Sequence, residues 1–235
     1  MRTATSEETM EVVAGGNETS IRTVRARKEA NAIDAMLYRL QNYQNEKQLG
    51  TLCLGVTSCK AKTGVSTLAS SSSIRASHLG MGNVLLIDGN LIRPVAHRHF
   101  GVSLAPGLAD YLVEGGEIVD FIKQSKDRDL DILTAGSSNL RDIAFAPNAL
   151  QLLFNELRTR YQTIIVDIPS FDNVGNGFFM STQVDGLLVV LDPRINRARE
   201  TKRFVDFLDQ NDIKVIGGVL NRYLPSVPRW IRRWL

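Results

Sequence analysis

The stretch Thr51–Thr67, TLCLGVTSCKAKTGVST, decides the fold. Thr51–Thr57 is a short, apolar, β-prone run; Ser58–Gly64 is small, polar and basic; Ser66 and Thr67 open a segment of helical pattern. Strand, tight turn and a hydroxyl pair at a helix start are the setting that a phosphate-binding loop requires. In the complete loop, G-x-x-x-x-G-K-[ST], backbone N–H groups and the helix N-terminus wrap the phosphates. The lysine bridges the terminal phosphates and the hydroxyl ligates Mg2+. Here Gly64 and Ser66 match, whereas Cys59 holds the first glycine position and Val65 the lysine position. A glycine turn that merely caps a helix would look the same, so the loop alone leaves both readings open.

Outward from this stretch, short β-branched or leucine-rich runs alternate with longer helical segments. The strand candidates are Thr51–Thr57, Asn83–Asp88, Leu130–Leu133, Thr163–Asp167, Gly186–Leu191 and Lys214–Leu220. Several are apolar on consecutive positions, as expected when both faces of a parallel sheet are covered. Helices fit between them at Ser66–Leu79, Gly107–Leu112, Pro147–Arg160 and Ala198–Gln210. Ser70–Ser73 falls inside the first of these and reads as a small-residue face for close packing. The rhythm predicts an α/β fold, a doubly wound and mostly parallel sheet with helices on both faces and ligands at the carboxyl ends of the strands. Ahead of this body, Ile33, Met36, Leu37 and Leu40 recur at three- and four-residue spacing, which predicts an amphipathic helix over Arg22–Tyr43. The expected organisation is a disordered lead over 1–20, this helix with its linker over 21–49, the nucleotide-type domain over 50–224 and a tail over 225–235.

Two strand ends sharpen the loop reading. Asn83–Pro94, NVLLIDGNLIRP, closes a strand with Asp88, and Tyr161–Pro169, YQTIIVDIP, closes another with Asp167 and a following proline. Carboxylates at the tips of core strands beside a phosphate loop are how Mg2+ and its waters are held. Either acid alone could cap a turn; together with Gly64, Ser66 and Thr67 they form a far more specific constellation.

Bulk composition limits the alternatives. With 235 residues, 43% hydrophobic and 23% charged, the chain can bury one sizeable core. Its formal charge of +3 gives no argument for nucleic acid, and no nucleic-acid partner is expected. Cys53 and Cys59 make neither a disulfide framework nor a four-ligand metal site, and His78, His97 and His99 show no ligand spacing with them. No apolar run has the length of a signal or membrane-spanning segment, so a cytoplasmic location is expected. After Asn221 the chain carries Arg222, Arg229, Arg232 and Arg233, two tryptophans and no acid. Such an end suits a membrane surface or an acidic groove, or else a strap folded back over apolar surface.

Taken together, these motifs resemble the bacterial tyrosine kinases of capsule and exopolysaccharide biosynthesis, relatives of the MinD/ParA ATPases. The resemblance runs from about Ile33 to Tyr223. It rests on VLLIDGNLIRP against V-L-L-I-D-x-D-x-R-x-P, on GLADYL at Gly107–Leu112, on IIVDIP, and on GGVLNR at Gly217–Arg222. It implies a nucleotide site formed by Lys60, Lys62, Thr63, Gly64, Val65, Ser66, Thr67, Asn221 and Arg222, with Asn221 at the position that reads the base. It further implies Asp88 and Asp167 as catalytic acids, Mg2+ held by Ser66, Asp88 and Asp167, and ATP or ADP as ligand. The implied partners are a membrane polysaccharide copolymerase at the inner face of the membrane and further copies of the chain.

The sequence also departs from that family. Val65 cannot bridge phosphates, and burying their charge without a cation is costly. Lys60 falls where the MinD/ParA branch has its second lysine, so a surrogate grip by Lys60 or Lys62 is one reading; against it, Lys62 replaces a glycine that lets the backbone approach phosphate. Asn90 stands where active members carry the second acid of D-x-D. The ring-closing pattern E-x-x-R-x-x-R is matched only by Asp34, Leu37 and Leu40, and a tyrosine-rich tail is missing, with Tyr223 alone after Asn221. Phosphoryl transfer depends on charge neutralisation, so the expectation is a degenerate kinase-like protein that regulates or scaffolds polymer assembly, a holdfast system being one setting. A working autokinase that uses Lys60 or Lys62, and a MinD/ParA-like positioning factor that dwells on a membrane through its tail, are the alternatives.

Overall fold

The computed structural model describes residues 9–14, 23–25, 29–138, 147–171 and 176–222. The tail 225–235, Tyr223 and most of the lead 1–20 lie outside the described residues. The elements in chain order are β1 (Thr9–Ala14), β2 (Thr23–Arg25), α1 (Glu29–Glu46), β3 (Leu52–Thr57), α2 (Val65–His78), β4 (Val84–Asp88), α3 (Ala96–Phe100), α4 (Leu108–Glu114), β5 (Ile122–Gln124), β6 (Leu130–Leu133), α5 (Pro147–Arg160), β7 (Thr163–Asp167), α6 (Asn176–Ser181), β8 (Gly186–Leu191), α7 (Ala198–Gln210) and β9 (Val215–Leu220).

One sheet has the strand order β2-β1-β9-β8-β3-β7-β4-β6-β5. The six strands from β9 to β6 pair in parallel, and antiparallel strands close both edges. Consecutive residues of β3, β4 and β7 are all buried because helices cover both faces. Cys53, Leu85, Ile87, Ile164 and Val166 face the layer with α5 and α7. Leu54, Val56, Leu86 and Ile165 face the layer with α1 and α2. The doubly wound sheet expected from the sequence is present.

α1 begins at Glu29 rather than at Arg22; Thr23–Arg25 is instead strand β2. Within the stretch read as a lead, Thr9–Ala14 lies antiparallel to β9 over Glu11–Ala14. The apolar stripe of α1 docks on its own domain: Ile33, Met36, Leu37 and Leu40 are all buried in the core shared with α2 and the sheet. Asp34, at the position of the ring pattern's acid, is spent internally. Its carboxylate takes a bidentate pair from Arg75 on α2, Nε to Oδ1 at 2.7 Å and NH2 to Oδ2 at 2.5 Å.

α2 approaches the sheet closely because the buried side is nearly all small: Ala69, Ser72, Ser73 and Ala76 have no exposed surface. Ser73 Oγ turns back to the Ala69 carbonyl at 2.9 Å, which satisfies the hydroxyl without a partner on the sheet. This close fit of α2 fixes where its N-terminus, and hence the loop after β3, meets the strand tips.

Candidate functional site

Chain reversal between β3 and α2 is built on Gly64, which precedes α2 with φ of 98° and ψ of 18°. A side chain there would be strained and would also collide with Asn221 Nδ2. Asn221, at the end of β9, donates from Nδ2 to the Thr63 carbonyl at 2.8 Å and so ties a distant strand to the loop. Ser58 Oγ donates to the Lys60 carbonyl, and Thr63, fully buried, donates to the same carbonyl at 3.4 Å. Lys62 adopts a left-handed backbone at φ of 65°, the region glycine favours, at the position where the family pattern has glycine. The loop therefore keeps a glycine-type bend although the glycine is gone. No acid lies in the first turn of α2, so no carboxylate of that turn competes for its free N–H groups.

A cleft of about 330 Å3 opens over this loop. Its walls include Lys60, Lys62, Gly64, Val65, Ser66 and Thr67, with Asn90 and Arg93 from the loop after β4, Asp167 and Pro169 from the end of β7, and Arg222 after β9. Val65 is half-buried and packs against the core on the α1–α2 side, so its branched side chain serves the helix foot. Of the residues read as a nucleotide site, Thr63 lies beneath the cleft and Asn221 behind the loop; the others line it.

The two acids are neighbours. β4 and β7 are adjacent and parallel, with Asp88 opposite Asp167 in register. Asp167 is 97% buried, and burial, followed by the charge of Asp88, pushes its carboxyl up to about 7 against the opposing Ser66 hydroxyl bond. Asp88 is fully buried and is likewise raised by burial, partly offset by backbone donors. Its Oδ1 accepts from Asn90 N–H at 3.2 Å, and its Oδ2 from Val95 and Ala96 N–H at 2.9 Å each. Asp88 thus organises the loop after β4, whereas Asp167, in contact with Ser66, borders the cleft. Among the described residues no cluster of three or more His, Cys, Asp or Glu side chains forms a metal site.

Lys60 is engaged away from the loop: Nζ lies 3.3 Å from Glu200 Oε1 on α7. Arg222, with a left-handed φ of 55°, donates from NH1 to the Lys62 carbonyl at 3.0 Å and to Asp192 Oδ2 at 3.3 Å. Asp192 is fully buried and also receives Arg194 at Nε and NH2. Hydrogen bonds from Arg194 and Arg222 hold its carboxyl below the usual carboxylate range despite its burial. Asp192 follows β8 and directly precedes Pro193, a strand-end acid as Asp167 is, which has its proline one residue further on. Glu200 and Asn196, whose Nδ2 sits 2.9 Å from Cys59 Sγ, carry no such local signal.

A parallel sheet with a glycine turn after β3, buried acids closing β4 and β7, and an asparagine from β9 behind the turn is a P-loop-type fold like that of MinD. The MinD protein of Pyrococcus horikoshii, solved in complex with Mg-ADP, has this fold; it is 22% identical, covers 72% of this chain and 69% of its own, and has a TM-score of 0.60. Relatives that the chain matches bear the names of bacterial tyrosine-protein kinases. CapB of Staphylococcus aureus is 28% identical over 169 residues, covering 71% of this chain and 73% of CapB. The tyrosine-protein kinase etk of Escherichia coli K12 is 29% identical over 140 residues, 59% of this chain and 19% of that protein. The solved kinase domain of ETK superposes with a TM-score of 0.76, at 22% identity, over 85% of this chain and 77% of that one. No protein-family profile matches the chain.

Proposed function

We propose that this chain is a tyrosine kinase-like P-loop protein that keeps a nucleotide cradle and has lost phosphoryl transfer. It regulates or scaffolds capsule- or exopolysaccharide-type assembly and export at the inner face of a membrane, beside a membrane polysaccharide copolymerase. One observation supports the reading: the loop after β3 keeps its glycine bend and an open cleft, while the two positions that carry charge in the family pattern hold Val65 and Asn90. The bend at Gly64, the N-terminus of α2 and the Ser66–Asp167 contact fit an Mg-nucleotide, because they offer backbone donors for phosphate and a hydroxyl beside an acid for the ion. Bound there, Mg2+ supplies charge neutralisation. The phosphates would lie against Lys62–Thr67, and the base toward Asn221 and Arg222.

Asp88 supports the site as a positioning residue, since its oxygens hold three backbone N–H groups. The absence of charge at position 90 removes the group that would hold a metal-bound water or take a proton. Lys60 is an indifferent surrogate for the missing lysine: its ammonium pairs with Glu200, and release from that half-exposed pair would be needed before it could reach phosphate. Among the described residues no helix is long and apolar enough to cross a membrane. A partner is therefore the proposed route to the membrane, and Arg229–Leu235 the proposed surface contact.

Calorimetric titration with Mg-ADP and Mg-ATP tests the reading. Saturable binding of both without heat from turnover is expected. Undetectable binding of either nucleotide would remove the cradle from the account.

A further inference from the structure

Val65 leaves the cradle without its cation, yet four other cations line the cleft. Two are committed elsewhere. Lys60 is paired with Glu200 at 3.3 Å and also borders a second hollow with Phe171 and Phe204. Arg222 holds the Lys62 carbonyl and the buried Asp192. Lys62 lies in the same loop as the N–H donors, so its charge falls on the wall that the loop and α2 already supply.

Arg93 differs from all three. It reaches the cleft from the loop after β4, facing the site from a different wall than α2. Its backbone is fixed: Arg93 N–H donates to Asn90 Oδ1 at 3.1 Å, and the loop is pinned on both sides by Asp88, through Asn90 N–H and through Val95 and Ala96 N–H. Its guanidinium makes no hydrogen bond or ion pair among the described residues. The stem is anchored and the charged head is free.

Val65 and Asn90 then read as a paired change. Against the family pattern, position 65 loses a positive charge and position 90 a negative one, and the pattern's arginine, which would fall at Ile92, is replaced by Arg93 beside it, so the summed charge is unaltered. Asparagine keeps the backbone bond and leaves the head for an anion. A guanidinium also suits the task, because its planar fork makes two parallel bonds to phosphate oxygens where an ammonium acts as a point charge.

We infer that Arg93 supplies the phosphate-neutralising charge that Val65 cannot, clamping a diphosphate group between its guanidinium and the N-terminus of α2. The inference rests on the reading of this cleft as a nucleotide cradle. The test is calorimetric titration of the full chain with inorganic pyrophosphate and, separately, with Mg-ADP, for wild type, Arg93→Ala, Arg93→Lys, Lys60→Ala and Lys62→Ala. Arg93→Ala weakens both probes by roughly tenfold to a hundredfold, the worth of a lost charge-assisted contact. Arg93→Lys recovers part of that loss, and each of the two lysine variants weakens the probes less than Arg93→Ala does. Because Arg93 is exposed, its variants melt as wild type does, so a weakened titration reports the contact. Wild-type binding that Arg93→Ala leaves intact overturns the inference while the cradle stands, as does loss confined to Lys60→Ala or Lys62→Ala. Mg-ADP binding without pyrophosphate binding overturns it too, because the base would then carry the affinity. A wild type that binds neither probe overturns both the inference and the cradle.

Discussion

The buried acid Asp167 offers a quantitative test of how the strand tips are arranged. In the metal-free protein its carboxyl is displaced from 3.8 to about 7 by burial and by Asp88 across the β4–β7 pairing. A rise of about 3 pH units at about 1.36 kcal/mol each makes the ionised acid cost on the order of 4 kcal/mol of folding stability. The group's folded pKa lies above its unfolded one, so the protonated form's advantage is fully present below about 3.8 and is lost as pH rises through about 7. Asp167→Asn keeps the size and a hydrogen-bonding partner for Ser66 and removes the charge. Measured by thermal melting in EDTA, the variant should exceed wild type by roughly 10 °C at pH 8, taking about 2–4 °C per kcal/mol for a chain of this size. The difference should narrow between pH 7 and 4 and vanish near pH 4. Because Asp88 shares the site, the curve reports the titration of the pair. An unchanged or lower melting temperature at pH 8, or a difference that persists at pH 4, would refute the reasoning.

Other perturbations probe separate parts of the account. Val65→Lys restores the missing cation at the foot of α2 and should tighten Mg-ADP by about tenfold in calorimetry; no gain would mean that the valine is not the defect. Leu37→Ala, in a side chain 1% exposed between α1 and the sheet, should cost about 3 kcal/mol in urea unfolding if α1 belongs to its own domain's core. Arg158→Ala breaks a bidentate pair with Asp185, NH1 to Oδ2 at 3.0 Å and NH2 to Oδ1 at 2.9 Å, and should cost about 2 kcal/mol. The cost stops there because Asp185 retains the Cys53 N–H at 2.7 Å. Cys53 is fully buried and burial pushes its thiol up, so a thiol reagent should leave it unmodified in the native chain and label it only on unfolding.

How far the sequence could be read depended on the range of the interactions involved. β6, β7, β8, α5 and α7 have the expected bounds, because apolar runs bounded by polar turns and 3.6-residue periodicity are local signals. β5, three residues at an antiparallel edge, is too short to carry such a signal, and β1 takes its place in the sheet from pairing with β2 and with the sequence-distant β9. The start of α1 at Glu29 has no local signal, since no Ser, Thr, Asp or Asn immediately precedes it. At the site, the loop and both acids were legible from motif spacing, and Asn221 only through the family resemblance. The Lys60–Glu200 pair spans 140 residues and was not, nor was the commitment of Arg222 to Asp192. Asp192 itself was legible, as an acid before a proline at a strand end.

The central claim is a cradle retained for holding and not for transfer. Incubation of the purified full chain with saturating Mg-ATP labelled on the γ-phosphate measures it directly, by counting released phosphate and label on protein. The account predicts neither above the buffer blank. Sustained release or self-labelling that disappears in Lys60→Ala or Lys62→Ala would contradict it and return the chain to the working kinases.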